Sequence, residues 1–242
     1  MSPQNLADNV RAVRARIARA AAQCGRNADS ITIVAASKSQ PLTAIEAAAR
    51  AGLTHFGESY LKEALAKLAA PAAASLTWHF IGRIQANKTR PIAEHFSWVH
   101  GLDRLDLAQR LSAQRPYHAP ALEVCIQVNL AGEPGKGGVA PAEVHALAAA
   151  VAELPRLRLR GLMCLPPEEH ALEGQRHWFA ALRAMFEELN AAGAALDTLS
   201  MGMSADLEAA VLEGATCVRI GTALFGPRPR RHLEGGPDTI PP

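Results

Sequence analysis

Eight short apolar runs rich in β-branched residues recur along this chain, and helical segments separate them. They read as strands over 31–38, 54–57, 76–81, 97–100, 121–130, 157–164, 196–201 and 216–220. The helical pattern falls at 43–51, 58–69, 87–94, from Asp103 to Gln114, from Pro141 to before Pro155, at 172–192 and at 204–213. Strict strand–helix alternation requires a parallel sheet with its helices outside. Eight units predict a closed (β/α)8 barrel. An open doubly wound sheet would place a glycine fingerprint after the first strand, and none is there. Leu6, Val10, Val13 and Ile17 add one amphipathic helix ahead of the barrel. The expected organisation is therefore a single domain. An N-terminal helix over 1–30 packs on a barrel over 31–226, and a basic tail with Arg228, Arg230 and Arg231 covers 227–242.

With 242 residues, 49% of them hydrophobic, the chain can bury one sizeable core. A net charge of +2 gives no basis for a nucleic-acid or acidic membrane partner. No apolar run is long enough to span a bilayer. The N-terminus is polar and then helical, unlike a secretory signal. Cys24, Cys125, Cys164 and Cys217 form no CxxC pair and read as reduced thiols of a cytoplasmic protein.

Barrel chemistry gathers where strands end at their C-terminal side. The first strand runs into Ser37-Lys38-Ser39-Gln40-Pro41. A lysine there either snorkels to water or serves as an amine for Schiff-base chemistry. After the seventh strand, Ser204 stands at a helix N-cap position. After the eighth, Gly221-Thr222 opens a short helical turn. Such turns are ordinary caps, or they present N–H groups and the positive dipole end to a phosphate. Arg219 precedes them on a strand that neighbours the first when the barrel closes. It reads as a surface arginine with a carboxylate partner, or as a second cation at the mouth that lowers the pKa of Lys38. An amine, a phosphate cradle and a guanidinium at one mouth fit pyridoxal 5′-phosphate (PLP).

The blocks Val34-Ala35-Ala36-Ser37-Lys38, His55-Phe56-Gly57-Glu58-Ser59-Tyr60, Trp78-His79-Phe80-Ile81-Gly82, Leu199 to Ser204 and Val218 to Gly226 resemble the pyridoxal phosphate homeostasis protein family. That family is itself similar to the N-terminal barrel of alanine racemase. The resemblance implies a PLP barrel of the fold type III kind without a C-terminal β-domain. It implies Lys38 as the Schiff-base lysine and Arg219 at the pyridine nitrogen. Ser204, Gly221 and Thr222 would surround the phosphate, and Met201 would line the pocket. Lys136 matches a family lysine linked to cofactor exchange. Ser59 stands where many members have asparagine, and its hydroxyl can still hydrogen-bond, over a shorter reach.

A racemase needs a second acid/base opposite the lysine. Tyr60 and Tyr117 are the only tyrosines, and Tyr60 reads as an anchor for its helix. An arginine at the ring nitrogen leaves that nitrogen unprotonated and the ring a poorer electron sink. The expectation is a non-catalytic, monomeric PLP-binding protein of vitamin B6 and amino-acid homeostasis, with PLP-accepting apo-enzymes as partners. A small PLP-dependent racemase and a barrel for another phosphorylated ligand are the competing readings. His55 and His79 read as satisfied core or rim histidines, Arg83 and Lys88 as solvated, and no residues have metal-ligand spacing.

Overall fold

The computed structural model describes residues 3–227. The tail expected from Pro227 lies, from Arg228 onward, outside the described residues. A first helix, α1 (Pro3–Gln23), precedes β1 (Thr32–Ala36), α2 (Leu42–Arg50), β2 (His55–Glu58), α3 (Leu61–Leu68) and β3 (Thr77–Phe80). The chain continues through α4 (Thr89–His95), β4 (Trp98–Leu102), α5 (Leu105–Gln114), β5 (Leu122–Val128), α6 (Val144–Ala152) and β6 (Leu157–Cys164). It ends with α7 (Leu172–Ala191), β7 (Thr198–Ser200), α8 (Leu207–Leu212), β8 (Cys217–Ile220) and the short α9 (Thr222–Phe225).

The strands close in sequence order, each parallel to the next, and β8 pairs back onto β1 with Val34 opposite Arg219. The eight-stranded expectation holds. The helices cover the barrel because each has one apolar stripe to bury. In α1 that stripe is Leu6, Val10, Val13 and Ile17, all buried. It packs on α2, α8 and α9. Each such side chain is worth about 1.5–3 kcal/mol when fully buried, so α1 is an integral part of the fold. Arg16 fastens it further. Its Nε and Nη2 donate to both carboxylate oxygens of Glu208, at 2.6 Å each, and Nη2 also donates to the Ser204 carbonyl at 3.0 Å. The Arg16 hydrogen bond in turn holds the Glu208 carboxyl below its ordinary pKa.

Two glycines set how closely elements approach. A Cβ on Gly161 would lie 1.7 Å from the Thr198 carbonyl oxygen, so β6 and β7 can pair there only without a side chain. Gly202 has φ +93°, and a Cβ on it would meet the Ala210 Cβ at 2.5 Å. It lets the chain leave β7 and turn tightly over α8.

Several expected boundaries move. Glu58 is the last residue of β2 and fully buried, where the sequence pattern placed it at the start of a helix. Lys38 lies in a turn two residues past the end of β1. Asp103 does not cap α5, whose N-cap position is Arg104; its Oδ2 accepts from the Gly138 N–H at 3.2 Å and so ties down the glycine-rich loop. Pro141 opens a single 3-10 turn that leads into α6. Cys125, Cys164 and Cys217 are buried free thiols, and Cys24 is partly exposed. Burial pushes the Cys164 thiol up to about 12 and that of Cys217 to about 11.

Candidate functional site

At the C-terminal face of the barrel a cavity of about 290 Å³ is lined by Lys38, Ser204, Arg219, Gly221 and Thr222, with Met203 at its rim. A larger cavity of about 520 Å³ lies at the opposite end, between α1 and the starts of β1 and β2. It brings together no comparable set of groups, and catalysis and binding in this architecture use the other face.

Lys38 is held by its flanks. The Ser37 hydroxyl donates to Glu58 Oε1 at 2.6 Å, and the Ser39 N–H donates to Glu63 Oε1 at 2.6 Å. Between them Lys67, itself buried, donates to the Ser37 carbonyl at 2.9 Å, to Glu58 Oε1 at 2.7 Å and to Glu63 Oε1 at 2.5 Å. Ser39 sits at φ +64°, a left-handed conformation that a serine adopts only when its surroundings impose it. The turn that presents Lys38 is thus set by two carboxylates sharing one ammonium. Burial raises the Glu58 carboxyl despite its bonds to Lys67 and Ser37, and its Oε2 has no hydrogen-bond partner. Glu63 and Lys67 stand one helical turn apart on α3, and Lys67 also reaches inward to Glu58 and the Ser37 carbonyl.

Arg219 is buried in β8. Its Nη1 donates to the Ser200 carbonyl at 2.6 Å and to Ser200 Oγ at 2.8 Å, and its Nη2 donates to the Cys164 carbonyl at 2.9 Å. The surface arginine with a carboxylate partner is therefore not what the fold makes of this residue. Of its five N–H donors, Nε and one hydrogen of Nη2 remain outside these bonds.

Ser204 does not cap the helix after β7, because α8 begins only at Leu207. Its Oγ accepts from the Ala223 N–H at 3.1 Å and joins the turn after β7 to the head of α9. The N–H groups of Gly221 and Thr222 donate to no backbone carbonyl among the described residues. A Cβ on Gly221 would meet Ala36 at an ordinary 3.6 Å, so the fold itself does not require glycine there.

Two of the expected residues are not among those lining this cavity. Met201 is fully buried, with its N–H on the Cys217 carbonyl, and Met203 takes the place at the cavity. Ser59 is half-buried and lies outside the residues lining the cavity. Tyr60 stands exposed at the N-cap position of α3, and its carbonyl accepts from the Ala64 N–H. Lys136 is exposed and pairs with Glu133, one turn of loop away. Arg83 and Lys88 are exposed, as expected. His55 and His79 are satisfied by hydrogen bonds to each other and, through His79, to His100.

The family model of the alanine racemase N-terminal domain matches residues 2–229. A pyridoxal phosphate homeostasis protein of Pseudomonas aeruginosa is 56% identical over 223 residues, covering 92% of this chain and 96% of that one. The structure of PipY from Synechococcus elongatus with PLP bound superposes with a TM-score of 0.78 at 36% identity, over 88% of this chain and 100% of the other. Alanine racemase of Corynebacterium glutamicum, at 18% identity and a TM-score of 0.67, shares the fold over 96% of this chain and 63% of its own. By sequence and by architecture, this chain belongs to the pyridoxal phosphate homeostasis protein family, built on the alanine racemase N-terminal domain.

Proposed function

We propose that the protein binds pyridoxal 5′-phosphate at the C-terminal mouth of the barrel, as a Schiff base on Lys38, and holds or delivers it without turning over a substrate. The observation that carries this reading is the convergence of Lys38, Arg219, Ser204, Gly221 and Thr222 on one cavity from β1, β7 and β8. The residues present suit the group. Lys38 brings an amine to the cavity for the aldehyde. The head of α9 offers N–H groups for the phosphate oxygens, and Gly221 leaves room for them. The remaining donors of Arg219 suit an unprotonated pyridine nitrogen. When bound, PLP supplies an electrophilic carbonyl and a conjugated ring. Ser59 and Met201 stay in this proposal only as neighbours of the site, since other residues line the cavity. Lys136, exposed on the loop after β5, is proposed to affect exchange rather than seating.

The non-catalytic half of the proposal rests on the acid/base groups. A racemase places one on each face of the substrate carbon, and Tyr60 is turned out at the head of α3, away from the cavity lining. Spectroscopic titration with PLP is expected to saturate at one equivalent, and Lys38→Ala is expected to lose the imine absorption. Incubation with a panel of L- and D-amino acids is expected to give no steady-state racemisation or elimination. Turnover that Lys38→Ala abolishes would replace the carrier reading with the racemase.

A further inference from the structure

A row of hydrogen-bonded side chains crosses the barrel interior and ends on Arg219. His55 Nδ1 lies 2.9 Å from His79 Nε2, and His79 Nδ1 lies 2.8 Å from His100 Nε2. His100 Nδ1 lies 2.7 Å from Ser200 Oγ, which also accepts from Arg219 Nη1 at 2.8 Å. The members come from β2, β3, β4, β7 and β8. Since β4 and β7 are not neighbours in the closed sheet, the His100–Ser200 bond must span the interior. His79, His100, Ser200 and Arg219 are buried. At the far end, His55 and His79 line a cavity of about 220 Å³ among the first residues of the strands, including Thr32, Trp98 and Thr198. The row thus joins the two faces of the barrel.

Barrels of this kind fill their interiors with Val, Ile and Leu, and buried polar groups cost stability unless every one is bonded. Here the bonds close only with definite proton positions. Burial lowers the pKa of all three imidazoles, and the Arg219 cation adds to this at His100, which falls to about 3. Each ring is neutral, with one N–H and one lone pair. Arg219 can only donate, so Ser200 Oγ accepts from it. The polarised hydroxyl then gives its proton to His100 Nδ1. His100 Nε2–H donates to His79 Nδ1, and His79 Nε2–H donates to His55 Nδ1. Every nitrogen between Arg219 and His55 is satisfied with no proton left over. The opposite polarity puts both Arg219 and His100 as donors on Ser200 and leaves its hydroxyl proton with no acceptor among the bonds of the row. Imidazoles bonded nitrogen to nitrogen have no lone pairs converging on a point, so the row is no metal site.

We propose that Ser200, His100, His79 and His55 are positioning residues for Arg219: a thread of single polarity, all three histidines in the Nε2–H form, that fixes which guanidinium hydrogens face the cofactor. The Nη1 edge is consumed by Ser200, so Nε and one Nη2 hydrogen are presented to the cavity. This rests on the PLP reading above for its consequence, though not for its existence.

Two measurements test it. Nitrogen-15 NMR of the uniformly labelled apo-protein at neutral pH is expected to show His55, His79 and His100 as Nε2–H tautomers. An Nδ1–H form at His100 overturns the thread's polarity. Ser200→Ala and His79→Leu, each checked for intact fold by circular dichroism, are expected to weaken PLP binding about tenfold through loss of a charge-assisted contact. Both are expected to move the bound-PLP absorption maximum in the same direction, and Ser200→Thr, which keeps the hydroxyl, is expected to restore it. His79 lies outside the residues lining the upper cavity, so a purely local role for Ser200 would leave His79→Leu unchanged. Folded variants with wild-type spectrum and affinity overturn the positioning role. If wild-type protein takes up no PLP, the function reading fails while the tautomer measurement still decides the thread.

Discussion

The turn that carries Lys38 depends on a buried ion pair, Lys67 with Glu58, and on the partly exposed Glu63 beside it. Lys67 bridges Glu58 and Glu63, and removing it takes the ammonium from a fully buried carboxylate and from a second one beside it. Breaking a buried pair in this way costs about 3–5 kcal/mol. Lys67→Met is therefore expected to lower stability by that order in urea denaturation and to weaken PLP binding by releasing the Lys38 turn. Gly221→Ala should separate site from fold in the other direction. The change adds only a Cβ, which meets Ala36 at normal contact distance, so the thermal midpoint should hold while PLP affinity drops. Lys38 and Arg219 could be picked out in the sequence as candidates because Lys38 follows an apolar strand, and Arg219 stands one residue before the end of another, at the face where such barrels work. Glu58 and Lys67 were not, because Gly57-Glu58-Ser59-Tyr60-Leu61 runs from strand into helix with no break in pattern. A buried lysine on an amphipathic helix looks like any exposed one until the neighbouring strand is placed.

At the scale of elements, the strand ends rather than the helices set the site. β7 is only three residues long, and its successor turn reaches across to α9 through Ser204 Oγ. Reading the run 196–201 as strand put Ser204 at the head of α8, when it actually joins two turns. The same short β7 fits against β6 only because Gly161 has no side chain. Gly161→Ala would drive a methyl into the Thr198 carbonyl, and overpacking against rigid backbone places it among the severe substitutions, above about 4 kcal/mol. The variant is expected to be insoluble or to melt far below wild type in a thermal scan. The alternation of strands and helices was readable because each element has one apolar face of its own period. Which strand residues meet across the barrel depends on register, and no local pattern encodes it. That is why His55 and His79 could be read as satisfied without revealing His100 and Ser200 as their continuation.

The whole molecule carries its polar interior as a pH-dependent stability term. His79 and His100 have pKa values in the folded state below those of a free imidazole, His100 at about 3. Between that value and the ordinary value of about 6.5, the unfolded chain binds more protons than the native one. The stability is fully present above about pH 6.5 and falls as pH drops through this window, by about 1.4 kcal/mol per pH unit for each histidine. Glu58, whose carboxyl is raised by burial, acts with the opposite sign above its ordinary value, so two histidines outweigh one carboxyl. Urea midpoints measured at pH 7, 6 and 5 should decline steadily; a flat or rising series would mean that the interior imidazoles are not buried and neutral. The Arg16–Glu208 pair and the α1 stripe keep the N-terminal helix on the same body, so one cooperative transition is expected. The account as a whole turns on a covalent attachment at the first strand's turn. Incubation with PLP, reduction with borohydride and peptide mapping should place the pyridoxyl group on Lys38. Its recovery on another lysine, or on none, would contradict the account.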